Sequence, residues 1–167
     1  MCRESVERQS VPVQHIIISD VVGIGTGGMY FDIRNHVDSI SGDYVLFLCD
    51  DNVLMDKYVA EDFCQAAESN GMPEVVIWKG KLSSLRETLP YPWEERPHIS
   101  QIDLCSFVVR SDIWKRNANM WRDDADGAAD FWFVDGLWES GCRFFWFDRL
   151  AHLALNVMYG QPEVMHG

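Results

Sequence analysis

Two adjacent carboxylates and an amide, Asp50-Asp51-Asn52, close the run Gly42-Asp-Tyr-Val-Leu-Phe-Leu-Cys49. Side by side, two such carboxylates repel each other unless a cation or a donor-rich ligand compensates them. A hard ion such as Mg²⁺ or Mn²⁺, held by one or two carboxylates and shared with ligand phosphates, does this. A solvated turn whose Asp and Asn cap a following helix also accounts for them. A second acidic cluster runs from Asp123 to Asp130, ahead of Phe131, Val134 and Trp138, which mark a buried helix face. Asp126 and Asp130 then fall one turn apart near the helix start, where the helix dipole alone stabilises carboxylates. Asp20 ends an apolar run, and Gly23, Gly25 and Gly28 after it spell Gly-x-Gly-x-x-Gly. That spacing suits a dinucleotide phosphate, but the only acids ending a second strand about 20 residues on are the Asp50 pair. A loop over a ligand is the other use of these glycines. His152 lies within the apolar stretch Leu150 to Leu155.

The elements that must position these residues follow from periodicity. Tyr44 to Leu48 is apolar without alternation, the pattern of a strand covered on both faces in the middle of a sheet. Its carboxyl end is where open α/β sheets bind ligands. Residues 1 to 11 read as a short helix ending before Pro12, and Val13 to Ser19 as a strand ending at Asp20. Met29, Ile33, Val37 and Ile40 recur at helical spacing. Asp56 opens a helix with Val59, Ala60, Phe63, Cys64 and Ala67 on one face, ending at Asn70-Gly71. Glu74 to Trp78 and Phe144 to Phe147 read as strands, Ile99 to Arg110 as one or two, and 79–97 as a Pro-rich loop in which Trp93 either stacks on sugar or caps the core. Strand and helix alternating at these lengths predict parallel βαβ units.

The totals bound the function. A chain of 167 residues suffices for one domain with a core. A net charge of −12 disfavours a nucleic acid partner, because counterion release needs clustered Lys and Arg. No apolar run approaches the roughly 20 residues of a membrane span, and the first residues lack a signal-peptide core, so a cytoplasmic protein is expected. Cys2, Cys49, Cys64, Cys105 and Cys142 are an odd set without Cys-x-x-Cys, so neither a disulfide frame nor zinc is expected. Cys49, Cys64 and Cys105 read as small core residues.

The segment from Gly42 to Tyr58, with Asp-Asp-Asn at its centre, resembles the metal-site segment of glycosyltransferase family 2, inverting enzymes of the GT-A fold. It looks closest to the spore coat polysaccharide type, although Cys49 stands where many members have a further Asp. Ser5-Val6-Glu7-Arg8-Gln9-Ser10, Arg34-Asn35, the strand ending at Arg110, and the passage from Asp130 to Phe144 carry the resemblance along the chain. It implies a single GT-A-like domain over 1–167, a three-layer α/β/α sandwich truncated at its N-terminus and lacking the family's first strand. By the same resemblance Asp51 binds Mn²⁺ or Mg²⁺, Asp50 helps hold the ribose and metal site, Asp20 accepts from the nucleotide base, and Arg34 faces the diphosphate. Asp126 is the catalytic base with Asp130 in reserve, and His152 is a further metal ligand. The expected reaction moves a sugar from a UDP- or dTDP-sugar to an acceptor hydroxyl. The absent strand leaves two alternatives open: a non-catalytic nucleotide-binding subunit completed by a partner or as a homo-oligomer, and a dinucleotide-binding enzyme using Gly23 to Gly28.

Overall fold

The computed structural model describes residues 1–19, 32–82, 88–90, 93–121 and 128–155. Four helices are named here: α1 (Cys2–Glu7), α2 (Val59–Ser69), α3 (Ser111–Asn117) and α4 (Ala129–Glu139). Residues 32–35 are also helical. The strands are β1 (Tyr44–Leu46), β2 (Asn52–Leu54), β3 (Val75–Leu82), β4 (Thr88–Leu89), β5 (Phe107–Arg110) and β6 (Phe144–Ala154).

These strands form one sheet of order β1-β5-β3-β6-β2, with β4 on β3. Of the pairings, β3 with β6 is parallel and the others are antiparallel. Strictly parallel βαβ units were expected, and the sheet departs from them in every pairing but β3 with β6. β1 and β3 do run the same way across the α2 crossover, but β5 inserts between them in the opposite direction. The departure follows from β5's own continuous apolar run, Phe107-Val108-Val109, whose three residues are all buried. Such a strand belongs inside a sheet covered on both faces.

Alternation sends side chains of one strand to two cores. Val75 and Ile77 of β3, with Phe107 and Val109 of β5, join Trp114 of α3 and Phe133, Val134 and Leu137 of α4. Val76 and Trp78, with Val108, join Val59, Phe63 and Ala67 of α2. Helices therefore cover both faces, an α/β/α sandwich. The first core is aromatic at its centre: ring centroids lie 4.6 Å apart for Trp121 and Phe133 and 5.0 Å for Phe47 and Trp114. Trp93 resolves as a core cap, its ring 5.3 Å from Trp146 with the Lys79 ammonium 4.6 Å above it.

Both long helices end alike. Gly71 (φ +68°) lets Met72 N–H reach the Ala67 carbonyl at 2.8 Å, and Gly141 (φ +78°) lets Cys142 N–H reach Leu137 at 3.2 Å. These are Schellman closures, which need a left-handed residue.

Several local expectations are corrected. β1 stands at the end of the strand order, not in the middle. Residues 13–19 form no strand, because no ladder partner lies beside them among the described residues. β6 runs on through Asp148, Arg149 and His152, and β3 through Leu82, because their parallel pairing continues across a bulge near Lys79. β4 occupies part of the expected 79–97 loop. Cys64 is exposed on the outer side of α2, whereas Cys105 is buried and Cys49 half-buried. No helix among the described residues is long and apolar enough to cross a membrane.

Candidate active site

The acidic turn is built by β1 running out. Asn52 N–H closes on the Cys49 carbonyl at 3.0 Å, and Asp51's carbonyl accepts from Leu155 N–H at 2.7 Å, which ties the turn to the end of β6. Asn52 is 6% exposed, and its Nδ2 donates to Asp51 Oδ1 at 2.8 Å, orienting that carboxylate. Asp50 is exposed. Burial, then the charges of Asp50 and other neighbours including Asp51, pushes the nearby Cys2 thiol above its ordinary pKa.

Facing the turn is the segment before β5. Cys105 Sγ accepts from Cys49 N–H at 3.4 Å, which joins the two strand ends, and Trp78 Nε1 donates to the Cys105 carbonyl at 2.6 Å. A hydrogen bond with Cys49 and then burial raise the Cys105 thiol, so it stays protonated and structural. Two residues earlier, Asp103 Oδ1 accepts from Cys105 N–H at 2.9 Å and from the buried Ser106 Oγ at 2.8 Å. Its Oδ2 lies 3.5 Å from His152 Nε2. Burial would raise Asp103, but His152, Ser106 and the Cys105 N–H outweigh it and hold the carboxyl below its ordinary value.

His152 is 1% exposed, and among the described residues its ring nitrogens have no closer polar partner than Asp103 at 3.5 Å. It is seated by Gly80, its neighbour across the parallel β3/β6 ladder. A Cβ at Gly80 would come within 2.0 Å of the imidazole, so only glycine admits the ring.

Asp130 completes the group from the first turn of α4. Its Oδ1 accepts from Phe131 N–H at 2.8 Å. Burial is the main force that pushes this carboxyl up to about 6, and the charge of Asp103 adds to it against the opposing backbone donors of Phe131 and Leu104. Asp103 and Asp130 are thus neighbouring carboxyls tuned in opposite directions, an arrangement that separates acid and base roles.

Of the expected site residues, Asp50 and Asp51 share the turn, and Asp130 and His152 meet around Asp103. Arg34 is half-buried, its Nη1 donating to the Trp121 carbonyl at 3.2 Å. Asp20, Asp126 and the glycines Gly23 to Gly28 lie outside the described residues. Asp103 is the residue sequence reasoning passed over. Its signal was a carboxylate between Ile102 and Leu104, where a strand of that polarity would have no reason to carry one.

The residues present fit a divalent ion only in a particular way. Among the described residues no group of three or more His, Cys, Asp or Glu forms a cage. Asp51, oriented by Asn52 and beside Asp50, suits Mg²⁺ or Mn²⁺ shared with ligand phosphates, which requires one or two carboxylates.

With helices on both faces of a mixed sheet, the chain has the fold of a GT-A fragment, as its likeness to solved structures shows. The chain is similar to S. aureus TarS 1-349 solved with UDP, at TM-score 0.67 and 15% identity over 92% of this chain and 55% of that one. It is similar to the same fragment with UDP-GlcNAc, at 0.67 and 15% over 96% and 55%, and to S. aureus TarS, at 0.64 and 14% over 92% and 33%. The chain therefore spans about half the length of TarS 1-349. No family model and no curated protein matches the sequence.

Proposed function

We propose that the chain transfers a sugar from a nucleotide diphosphate sugar to an acceptor hydroxyl, with inversion at the anomeric carbon. The observation that carries this reading is Asp130, a carboxyl raised to about 6 beside the ionised Asp103, within a GT-A fold that also has an acidic turn. Two similar structures hold UDP and UDP-GlcNAc, which supports a uridine diphosphate sugar as donor. A dTDP-sugar is the other donor to test.

Asp51 would hold Mn²⁺ or Mg²⁺ with Asp50 close by, and such an ion would supply positive charge to offset that of a departing diphosphate. Asp130 takes the acceptor's proton on its carboxylate as that oxygen attacks; a base with a pKa just below working pH is both ionised and basic enough for this. Asp103 keeps that proton affinity up by its charge, and His152 anchors Asp103. Asp126, four residues earlier in sequence, is the alternative base.

The test is donor turnover with Mn²⁺, using UDP-GlcNAc and dTDP-glucose, followed by sugar release. Wild type is expected to release sugar, and Asp130→Asn to lower the rate by about 10²–10⁴ with donor affinity kept. An unchanged rate in Asp130→Asn with loss in Asp126→Asn moves the base to Asp126. A second reading, a nucleotide-binding subunit completed by a partner, is favoured by β1 standing at the sheet end; it predicts donor binding without release.

A further inference from the structure

We infer that Cys49 and Cys105 form a redox site, a thiol pair that a hydroperoxide closes into a disulfide joining the acidic turn to the segment before β5. Strand register brings the two together. Tyr44, Val45 and Leu46 of β1 stand opposite Arg110, Val109 and Val108 of β5. The same register carried on sets Phe47 against Phe107, whose ring centroids are 6.1 Å apart, and then Cys49 against Cys105. Opposite residues of an antiparallel pair have Cα atoms about 4.5–5.5 Å apart, inside the roughly 4.4–6.8 Å that a disulfide spans.

At this point the thiol takes over from the ladder. Cys105 N–H donates to Asp103 Oδ1 at 2.9 Å, and the Cys105 carbonyl accepts from Trp78 Nε1 at 2.6 Å, so its backbone is committed elsewhere. Cys49 N–H donates instead to Cys105 Sγ at 3.4 Å. That nitrogen is two bonds from the Cys49 Cβ, so the Cys105 sulfur already lies beside the side chain it would join. Both thiols are free.

Access sets the order of events. Cys49 is half-buried whereas Cys105 is 2% exposed, so an oxidant from solvent meets Cys49 first. Asp50 and Asp51 follow Cys49 directly, and their charge favours a small neutral oxidant over an anionic one such as glutathione disulfide. The Cys49 sulfur takes one oxygen of the hydroperoxide as the O–O bond breaks. The sulfur is oxidised to a sulfenic acid, and the other oxygen leaves with the thiol proton as water or an alcohol. Cys105 Sγ then attacks the oxidised sulfur; the S–S bond forms, the S–O bond breaks, and the hydroxyl leaves with the Cys105 proton as water. The fixed place of Cys105 next to Cys49 supplies the effective concentration this second step needs.

Each cysteine holds one bank of the candidate site. The Cys49 carbonyl accepts from Asn52 N–H at 3.0 Å and closes the acidic turn, while Cys105 N–H holds Asp103. A disulfide pins the two banks to each other, so the turn opens more rarely. Cys2 is near enough to Cys49 to compete as its partner.

The test treats the full chain with a molar excess of hydrogen peroxide and maps its peptides without reduction. The Cys49 and Cys105 peptides are expected to appear joined, with loss of two hydrogens, and to separate on adding dithiothreitol. In the oxidised protein, amide hydrogen exchange at Asn52 is expected to slow at least tenfold. In Cys49→Ser the Cys105 thiol is expected to survive the same exposure. Cys49 joined to Cys2, or carried on to sulfinic acid with Cys105 still a thiol, overturns the inference, as does the absence of any reaction at Cys49. Oxidation of Cys105 in Cys49→Ser overturns it too, and so does a disulfide that leaves Asn52 exchange unchanged. None of these outcomes depends on whether the chain transfers sugar.

Discussion

Asp130 and Asp103 make opposite demands on pH. Asp130 has its folded pKa raised to about 6, so between about 4 and 6 the native state binds more protons than the unfolded chain. Stability from this residue is then present at low pH and is lost as pH rises through 6. Asp103 is lowered, so its contribution is present above the ordinary carboxylate range and is lost as pH falls through its folded value. Asp130→Asn is therefore expected to flatten the fall in urea midpoint between pH 4 and 6, and Asp103→Asn to weaken the protein above pH 5 and progressively less as pH falls below the ordinary carboxylate range. Urea titrations across that range check both, and identical pH profiles for the two variants would contradict the assignment. Sequence made the acidic turn legible because a polar pair after five apolar residues has a plain reading. It did not expose Asp103, since nothing local says that its partner is His152, 49 positions on and placed by strand register.

Among the elements, the helices were the most legible. Val59, Phe63 and Ala67 recur at helical spacing and are all buried, and Asn70-Gly71 ends α2 as its chemistry predicts. Gly71→Ala forces a side chain into the left-handed region and is expected to cost about 1 kcal/mol. Thermal or urea unfolding reads this directly. Strand order was hidden, because β5's position between β1 and β3 depends on contacts far apart in sequence. The length of β6 was hidden for the same reason: Asp148 and Arg149 look like loop residues until β3 is seen beside them. Gly80→Ala tests that pairing. Its Cβ would collide with the His152 ring, so destabilisation of about 1–3 kcal/mol is expected. A shifted His152 side-chain resonance should accompany it, and a neutral Gly80→Ala would mean that the ring has room to move.

At the scale of the molecule, two cores on a mixed sheet bring the ends of β1 and β6, the segment before β5 and the start of α4 to one place. That convergence is why a carboxylate turn, a tuned pair of acids and a buried imidazole sit together in a chain whose site residues are scattered from 50 to 152. The fold is that of GT-A proteins, and the central claim is that this convergence binds a nucleotide diphosphate through Asp51. Calorimetric titration of UDP, with and without Mn²⁺, into wild type and Asp51→Ala tests it most directly. UDP is expected to bind wild type only when Mn²⁺ is present and to lose that binding in Asp51→Ala. Binding of equal strength in both proteins, or no binding to wild type under either condition, would contradict it.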